Sequence, residues 1–88
     1  MKKAMSNQAE EHVAKQKILV AAAKLFAEKG FAVVSTRDIA AESGLNISLI
    51  SYYFNGKEGL YQAVIVDFAN GAKVALEKML AAFHDPNN

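Results

Sequence analysis

Apolar residues recur at helical spacing in several stretches of the chain, and no stretch alternates apolar and polar residues as a β-strand does. Over residues 10–29 the apolar positions are Ile18, Ala22, Leu25, Phe26 and the aliphatic stem of Lys29. Gly30 follows where a left-handed residue ends a helix, and Phe31 is expected to fold back into the core. Residues 1–9 lack this periodicity and are predicted to form a flexible arm.

The second predicted helix has clear start and stop signals. Ser35, with Asp38 three residues later, forms an acidic variant of the capping box, so this helix begins at Ser35. Ile39 and Ala40 face inward, and Gly44 ends the helix after barely two turns.

The third predicted helix follows a tight turn at Gly44. Asn46 is a good N-cap, the helix covers about residues 47–53, and Asn55-Gly56 breaks the chain behind it. Two short helices joined by a glycine turn form the outline of a helix-turn-helix, whose second helix lies in the major groove of DNA. We therefore predict an all-α fold, with a three-helix, homeodomain-like helix-turn-helix head followed by a long connecting helix.

The long fourth helix carries more apolar surface than this head can cover. It is predicted over residues 57–83, closed by Asp85-Pro86, and Asn70-Gly71 is a weak point where the pattern permits a kink or a break. The head is expected to cover its first half only. The second half should meet a partner, either another copy or a domain absent from the chain. We divide the chain into an arm (1–9), a DNA-binding domain (10–66) and a remainder (67–88).

Composition and charge narrow the class of protein. The 88 residues suffice for one small domain, and the 52% hydrophobic content favours a packed helical protein over a disordered one. Without cysteine there are no disulfides or thiolate ligands, which fits a cytoplasmic protein. No apolar run approaches the ~18 residues of a membrane span, so we expect a soluble protein. Residues 1–57 have a net charge of +3 and residues 58–88 of −2, although a difference this small also arises by chance.

Catalysis has little support in the sequence. His12 and His84 are the only candidates for bases near neutral pH, and they lie near opposite ends of the chain. There is no glycine-rich phosphate loop and no paired-carboxylate site. We expect neither an enzyme nor a bound metal or cofactor.

The third helix offers a modest set of side chains for reading bases. With Leu45 and Ile50 pointing inward, its outward positions are Ile47, Ser48, Ser51 and Tyr52. Serine can bond either base class and isoleucine can touch a thymine methyl, but none of the four makes a bidentate base contact. Direct readout is therefore predicted to be limited, with DNA shape sharing the work.

Four side chains around this helix are candidate phosphate ligands: Thr36, Arg37, Tyr53 and Lys57. Free N–H groups and the helix dipole favour an anion at the amino end of the second helix, and Lys57 adds charge at the start of the fourth. Three of these candidates, and Tyr52 with them, have a structural alternative. Thr36 can simply cap its helix, Arg37 can pair with Glu10 or Glu11, and both Tyr52 and Tyr53 can belong to the core.

A family resemblance joins these features. Residues 31–64, FAVVSTRDIAAESGLNISLISYYFNGKEGLYQAV, resemble the N-terminal domain of TetR (tetracycline-repressor-like) transcriptional regulators, with ILVAAAKLFAEKGF as the first helix. The resemblance runs from about residue 15 to residue 66. It implies homodimers that bind palindromic operators in double-stranded DNA, usually repress, and release DNA when a small ligand enters a larger C-terminal domain.

Carried over by position, the family's phosphate contacts fall on Thr36, Arg37 and Lys57. Its base-facing and groove-facing sites fall on Ile47, Ser48, Leu49 and Ser51, and its aromatic pair falls on Tyr52 and Tyr53, before Phe54. Ser51 stands where the family often has Tyr, and Ile47 where it often has a polar residue or Lys. With these departures the family pattern does not predict the operator sequence, whereas DNA binding is still expected.

Family chains are much longer than this one, so the resemblance implies that the ligand-binding and dimer-forming part is missing and that the chain is a fragment. The alternative function is a small helical protein-interaction module without DNA binding. It explains the apolar fourth helix but not the hydroxyls and cations gathered around the third.

Overall fold

The computed structural model describes the backbone of residues 2–83 and the side chains of residues 8–83. Over this range the chain forms four α-helices and no strand: α1 (Lys2–Lys29), α2 (Thr36–Ser43), α3 (Ile47–Phe54) and α4 (Lys57–Phe83). The predicted all-α class and helix order are confirmed. None of these helices combines the length and apolar character needed to cross a membrane. The predicted stop at Asp85-Pro86 and the candidate base His84 lie outside the described residues.

The first helix starts earlier than predicted. It begins at Lys2 rather than near residue 10, so the predicted start of this helix is wrong. The flexibility predicted for residues 1–9 stays a prediction, and Met1 lies outside the described residues. Residues 2–9 contain no Gly or Pro and include the strong helix formers Ala, Lys, Met and Gln. The prediction relied on apolar periodicity, which residues 2–9 lack, and gave no weight to these propensities.

The two short helices are bounded by the capping residues that predicted them. The Asp38 N–H donates to Ser35 Oγ at 3.0 Å, and the Ser35 N–H donates to Asp38 Oδ2 at 3.0 Å, which completes the capping box with Ser35 as N-cap. Gly44 closes α2 in the left-handed region, with φ of 75°. Asn46 caps α3, accepting a hydrogen bond from the Ser48 N–H at 2.8 Å.

One hydrophobic core joins the head to the start of α4. Its buried residues come from α1, the α1–α2 loop and the three later helices: Ile18, Ala21, Ala22, Leu25, Phe26, Val34, Ile39, Ala40, Ile50 and Leu60. The predicted inward positions of α1 are confirmed, except that Lys29 is exposed. Phe31 packs against the core as expected, its ring centroid 5.8 Å from that of Phe26 and 4.8 Å from that of Tyr61.

The fourth helix is continuous but covered only at its start. It runs through Asn70-Gly71 without a break, because one glycine costs about 1 kcal/mol relative to alanine and good helix formers surround it. Leu60 is fully buried and Val64 is half-buried, yet every residue from 65 to 83 is exposed. The head therefore covers less than the predicted first half, and Phe68 is 77% exposed.

Candidate nucleic-acid interface

The third helix presents one exposed face. Ile50 is buried, 1% exposed, and anchors α3 to the core, whereas Ile47 is 43% and Tyr52 79% exposed, with Ser48 and Ser51 exposed beside them. Residues four apart on a helix share a face, so the pairs 47/51 and 48/52 form one continuous stripe. The four outward positions predicted from the sequence are thus confirmed as exposed and brought together.

Two further candidates on α3 lie at the edge of this face. Leu49 and Tyr53 are half-buried and pack against the core, so only part of each side chain can meet DNA. The Tyr53 ring lies edge-on to Tyr52 at 5.2 Å, and Lys15 Nζ lies 5.4 Å from the Tyr53 ring centroid. The alternative that both tyrosines belong to the core is wrong for Tyr52 and holds in part for Tyr53.

The hydroxyl of Ser48 forms a hydrogen bond with the side chain of Asn46. Asn46 Oδ1 accepts the Ser48 backbone N–H at 2.8 Å and lies 2.9 Å from Ser48 Oγ. A carboxamide oxygen carries no hydrogen, so the Ser48 hydroxyl is the donor in the second contact. Ser48 Oγ is left with lone pairs only and can accept a hydrogen bond from a base. The sequence predicted Asn46 as a cap, but not this restriction on Ser48.

The amino end of α2 carries a cation, Arg37. Arg37 is exposed, and among residues 8–83 no carboxylate forms an ion pair with it, so the predicted alternative of pairing with Glu10 or Glu11 is not observed. Glu11 pairs instead with Lys15 at 3.0 Å. Thr36 beside Arg37 is half-buried.

The hydrogen bond from the Ser35 backbone keeps the pKa of Asp38 below its usual value, so the Asp38 carboxyl group of the capping box stays ionised.

Lys57 makes contacts that the sequence did not reveal. Its ammonium donates to the carbonyl oxygens of Phe31 at 2.8 Å and Val34 at 2.9 Å, and it lies 4.3 Å from the Phe31 ring centroid. An ammonium has three N–H donors, so two are used within the protein and one remains for a phosphate. These carbonyls lie more than twenty residues earlier in the chain, and no local pattern indicates the contact.

Comparison with known proteins assigns this chain to a family. The family described as "Bacterial regulatory proteins, tetR family" matches residues 18–64, more than half of the chain and the whole helix-turn-helix. The chain belongs to the TetR family. The resemblance found in the sequence is thereby confirmed.

Three relatives of this TetR-family chain are regulators with a helix-turn-helix (HTH). The probable HTH-type transcriptional regulator YttP of Bacillus subtilis (strain 168) is 43% identical over 63 residues, which is 72% of this chain and 30% of YttP. The dual regulator CecR of Shigella flexneri is 47% identical over 58 residues, 62% of this chain and 26% of CecR. The repressor Rv3405c of Mycobacterium tuberculosis (strain ATCC 25618 / H37Rv) is 50% identical over 48 residues, 54% of this chain and 26% of Rv3405c.

Solved structures agree with this assignment. HlyIIR, a hemolysin II transcriptional regulator, is 44% identical and superposes with a TM-score of 0.59 over 61% of this chain and 30% of its own. A HlyIIR mutant with a linker at residues 169–186 gives 41% identity and a TM-score of 0.64 over 66% of this chain and 32% of its own. The TetR-family chain thus spans between about a quarter and a third of the length of these relatives, all of which are regulators and not enzymes.

Proposed function

We propose that this TetR-family chain binds double-stranded DNA sequence-specifically, with α3 in the major groove. The observation that carries the proposal is the exposed stripe of Ile47, Ser48, Ser51 and Tyr52 on α3, together with an exposed Arg37 at the start of α2 that has no ion pair among residues 8–83. A helix of this kind presents its side chains to base edges while its flanks grip phosphates.

The proposed contacts divide into two kinds. Ile47, Ser48 and Ser51 face the bases, with Leu49 and Tyr52 at the groove walls. The phosphate ligands are Thr36 and Arg37 at the amino end of α2, Tyr53 on α3 and Lys57 at the start of α4. An exposed arginine at a helix amino end supports the first pair, because the helix dipole and free N–H groups also attract an anion there.

The full-length form is proposed to act in the cytoplasm as a homodimeric repressor on a palindromic operator, released when a small molecule binds outside this domain. The exposed apolar face of α4 supports a partner surface. Its large apolar side chains, each about half exposed or more, include Ile65, Val66, Phe68, Val74, Leu76, Met79 and Leu80. Contiguous apolar surface of this kind marks an interface, and relatives more than twice as long as this chain have additional residues to cover it.

Charge reversal at Arg37 tests DNA binding. Arg37→Glu should weaken binding to duplex DNA by about 10–100-fold, as expected for loss of a hydrogen bond to a charged group. Lys73→Glu is the matched control, since it makes the same charge change on the exposed part of α4 and should leave binding nearly unchanged. Equal losses in both variants would show a nonspecific charge effect and contradict the Arg37 contact.

An interaction module without DNA binding is the second candidate, favoured by the exposed face of α4. It predicts no retention of duplex DNA by the unmodified chain even at low salt, together with concentration-dependent self-association. Retention that is lost on Arg37→Glu would exclude it.

A further inference from the structure

The ammonium of Lys57 bridges the start of α4 and the loop that leads into α2. We propose that Lys57 is a positioning residue for DNA binding: it clamps residues 31–34 and thereby fixes the amino end of α2 against the phosphate backbone. This inference rests on the proposed DNA-binding function. It assigns Lys57 an internal role beyond that of a phosphate ligand.

The clamp consists of three contacts on one charged group. Two hydrogen bonds join Lys57 Nζ to the carbonyl oxygens of Phe31 and Val34, at 2.8 and 2.9 Å. The same nitrogen lies 4.3 Å from the Phe31 ring centroid, within the range of a cation–π interaction. Hydrogen bonds from a charged donor are stronger than neutral ones, and Lys57 is half-buried, so solvent screens them less than at the surface.

The clamped residues lead directly to the proposed phosphate site. Val34 is 1% exposed and precedes Ser35, the N-cap of α2. Ser35 in turn holds Asp38 through both hydrogen bonds of the capping box. The chain from Val34 to Asp38 is therefore fixed at each end, and Thr36 and Arg37 lie between the two fixed points.

The first turns of α4 hold the same loop by a second route. Leu60 is fully buried in the core, and the Tyr61 ring lies 4.8 Å from that of Phe31. The loop is thus held by a charge at Lys57 and by ring packing at Tyr61. Removing the charge should loosen the loop without unfolding the domain, because the core and the ring contacts remain.

Amide hydrogen exchange of the DNA-free protein tests the clamp. Lys57→Met keeps a long apolar stem and removes the donors, so the amides of Asp38 and Ile39 should exchange at least about tenfold faster, as expected for loss of charge-assisted hydrogen bonds. The amide of Asn55 at the end of α3 should be unchanged. Lys73→Met is the matched control, because Lys73 is exposed on the part of α4 that the head does not cover. Lys57→Gln, which keeps a neutral donor, should give an intermediate rate.

DNA titrations over a salt series then separate positioning from simple phosphate binding. Faster exchange at Asp38 together with weaker binding at every salt concentration supports the clamp. Unchanged exchange with a salt slope reduced by about 0.9 would make Lys57 only a phosphate ligand and overturn the inference. Global unfolding of both Lys57 variants would also overturn it, since the role would then not be local. If the unmodified chain binds no duplex DNA, the proposed function and the positioning role both fail. The amide exchange of the DNA-free protein would still show whether Lys57 holds the α1–α2 loop.

Discussion

Replacing Ser35 by alanine tests how much the capping box contributes to the helix-turn-helix. The substitution removes the 3.0 Å bond from the Asp38 N–H to Ser35 Oγ and leaves the reciprocal bond to the Asp38 carboxylate in place. The freed N–H lies at an exposed helix end, where water can replace part of what is lost. We expect the free energy of unfolding to fall by about 1 kcal/mol, as is typical of N-cap serines. The same loss lowers Tm by about 4–8 °C in a domain of this size.

Thermal unfolding followed by far-UV circular dichroism measures this effect. Ser51→Ala is the matched control, since Ser51 is exposed within α3 and is not a capping residue. Its stability should change by no more than about 0.5 kcal/mol. Equal Tm values for Ser35→Ala and the unmodified chain, or equal losses in both variants, would refute the reasoning, because the cap would then contribute nothing specific.

Three further substitutions separate phosphate contact, base readout and packing. Arg37→Gln should lower the slope of log affinity against log salt by about 0.9 without changing base preference, and an unchanged slope in anisotropy titrations would argue against a phosphate contact. Ser48→Ala should weaken the preference for a base with an exocyclic amine, since Ser48 Oγ retains only acceptor lone pairs. Duplexes substituted at single positions measure this, and a uniform loss for all bases would contradict it. Leu60→Ala should cost about 2–5 kcal/mol in urea unfolding because Leu60 is fully buried, whereas the same change at exposed Leu76 should cost far less.

The features that the sequence predicted well are set by local chemistry. Ser35 and Asp38 lie three residues apart, and the Asn46 side chain bonds the backbone two residues on, so these caps are encoded within a single helical turn. The same holds for Gly44, whose left-handed conformation ends α2. The exposed face of α3 followed from placing Ile50 inward and applying helical periodicity.

The features that the sequence did not predict depend on distant parts of the chain or on the absence of a breaker. The partners of Lys57 lie in the α1–α2 loop, and their identity depends on how α4 docks against α1. The half-buried state of Tyr53 and Leu49 likewise depends on the shape of the assembled core. The early start of α1 was missed because residues 2–9 show no apolar period, and what favours a helix there is the absence of Gly and Pro.

The central proposal, sequence-specific DNA binding through α3, is tested most directly by selecting duplexes from a random library across a salt series. We predict enrichment of a defined sequence, with an inverted repeat if two copies bind together, and weaker enrichment on replacing Ser48 and Ser51 by alanine. Retention of DNA without enrichment, or no retention even at low salt, would contradict the account.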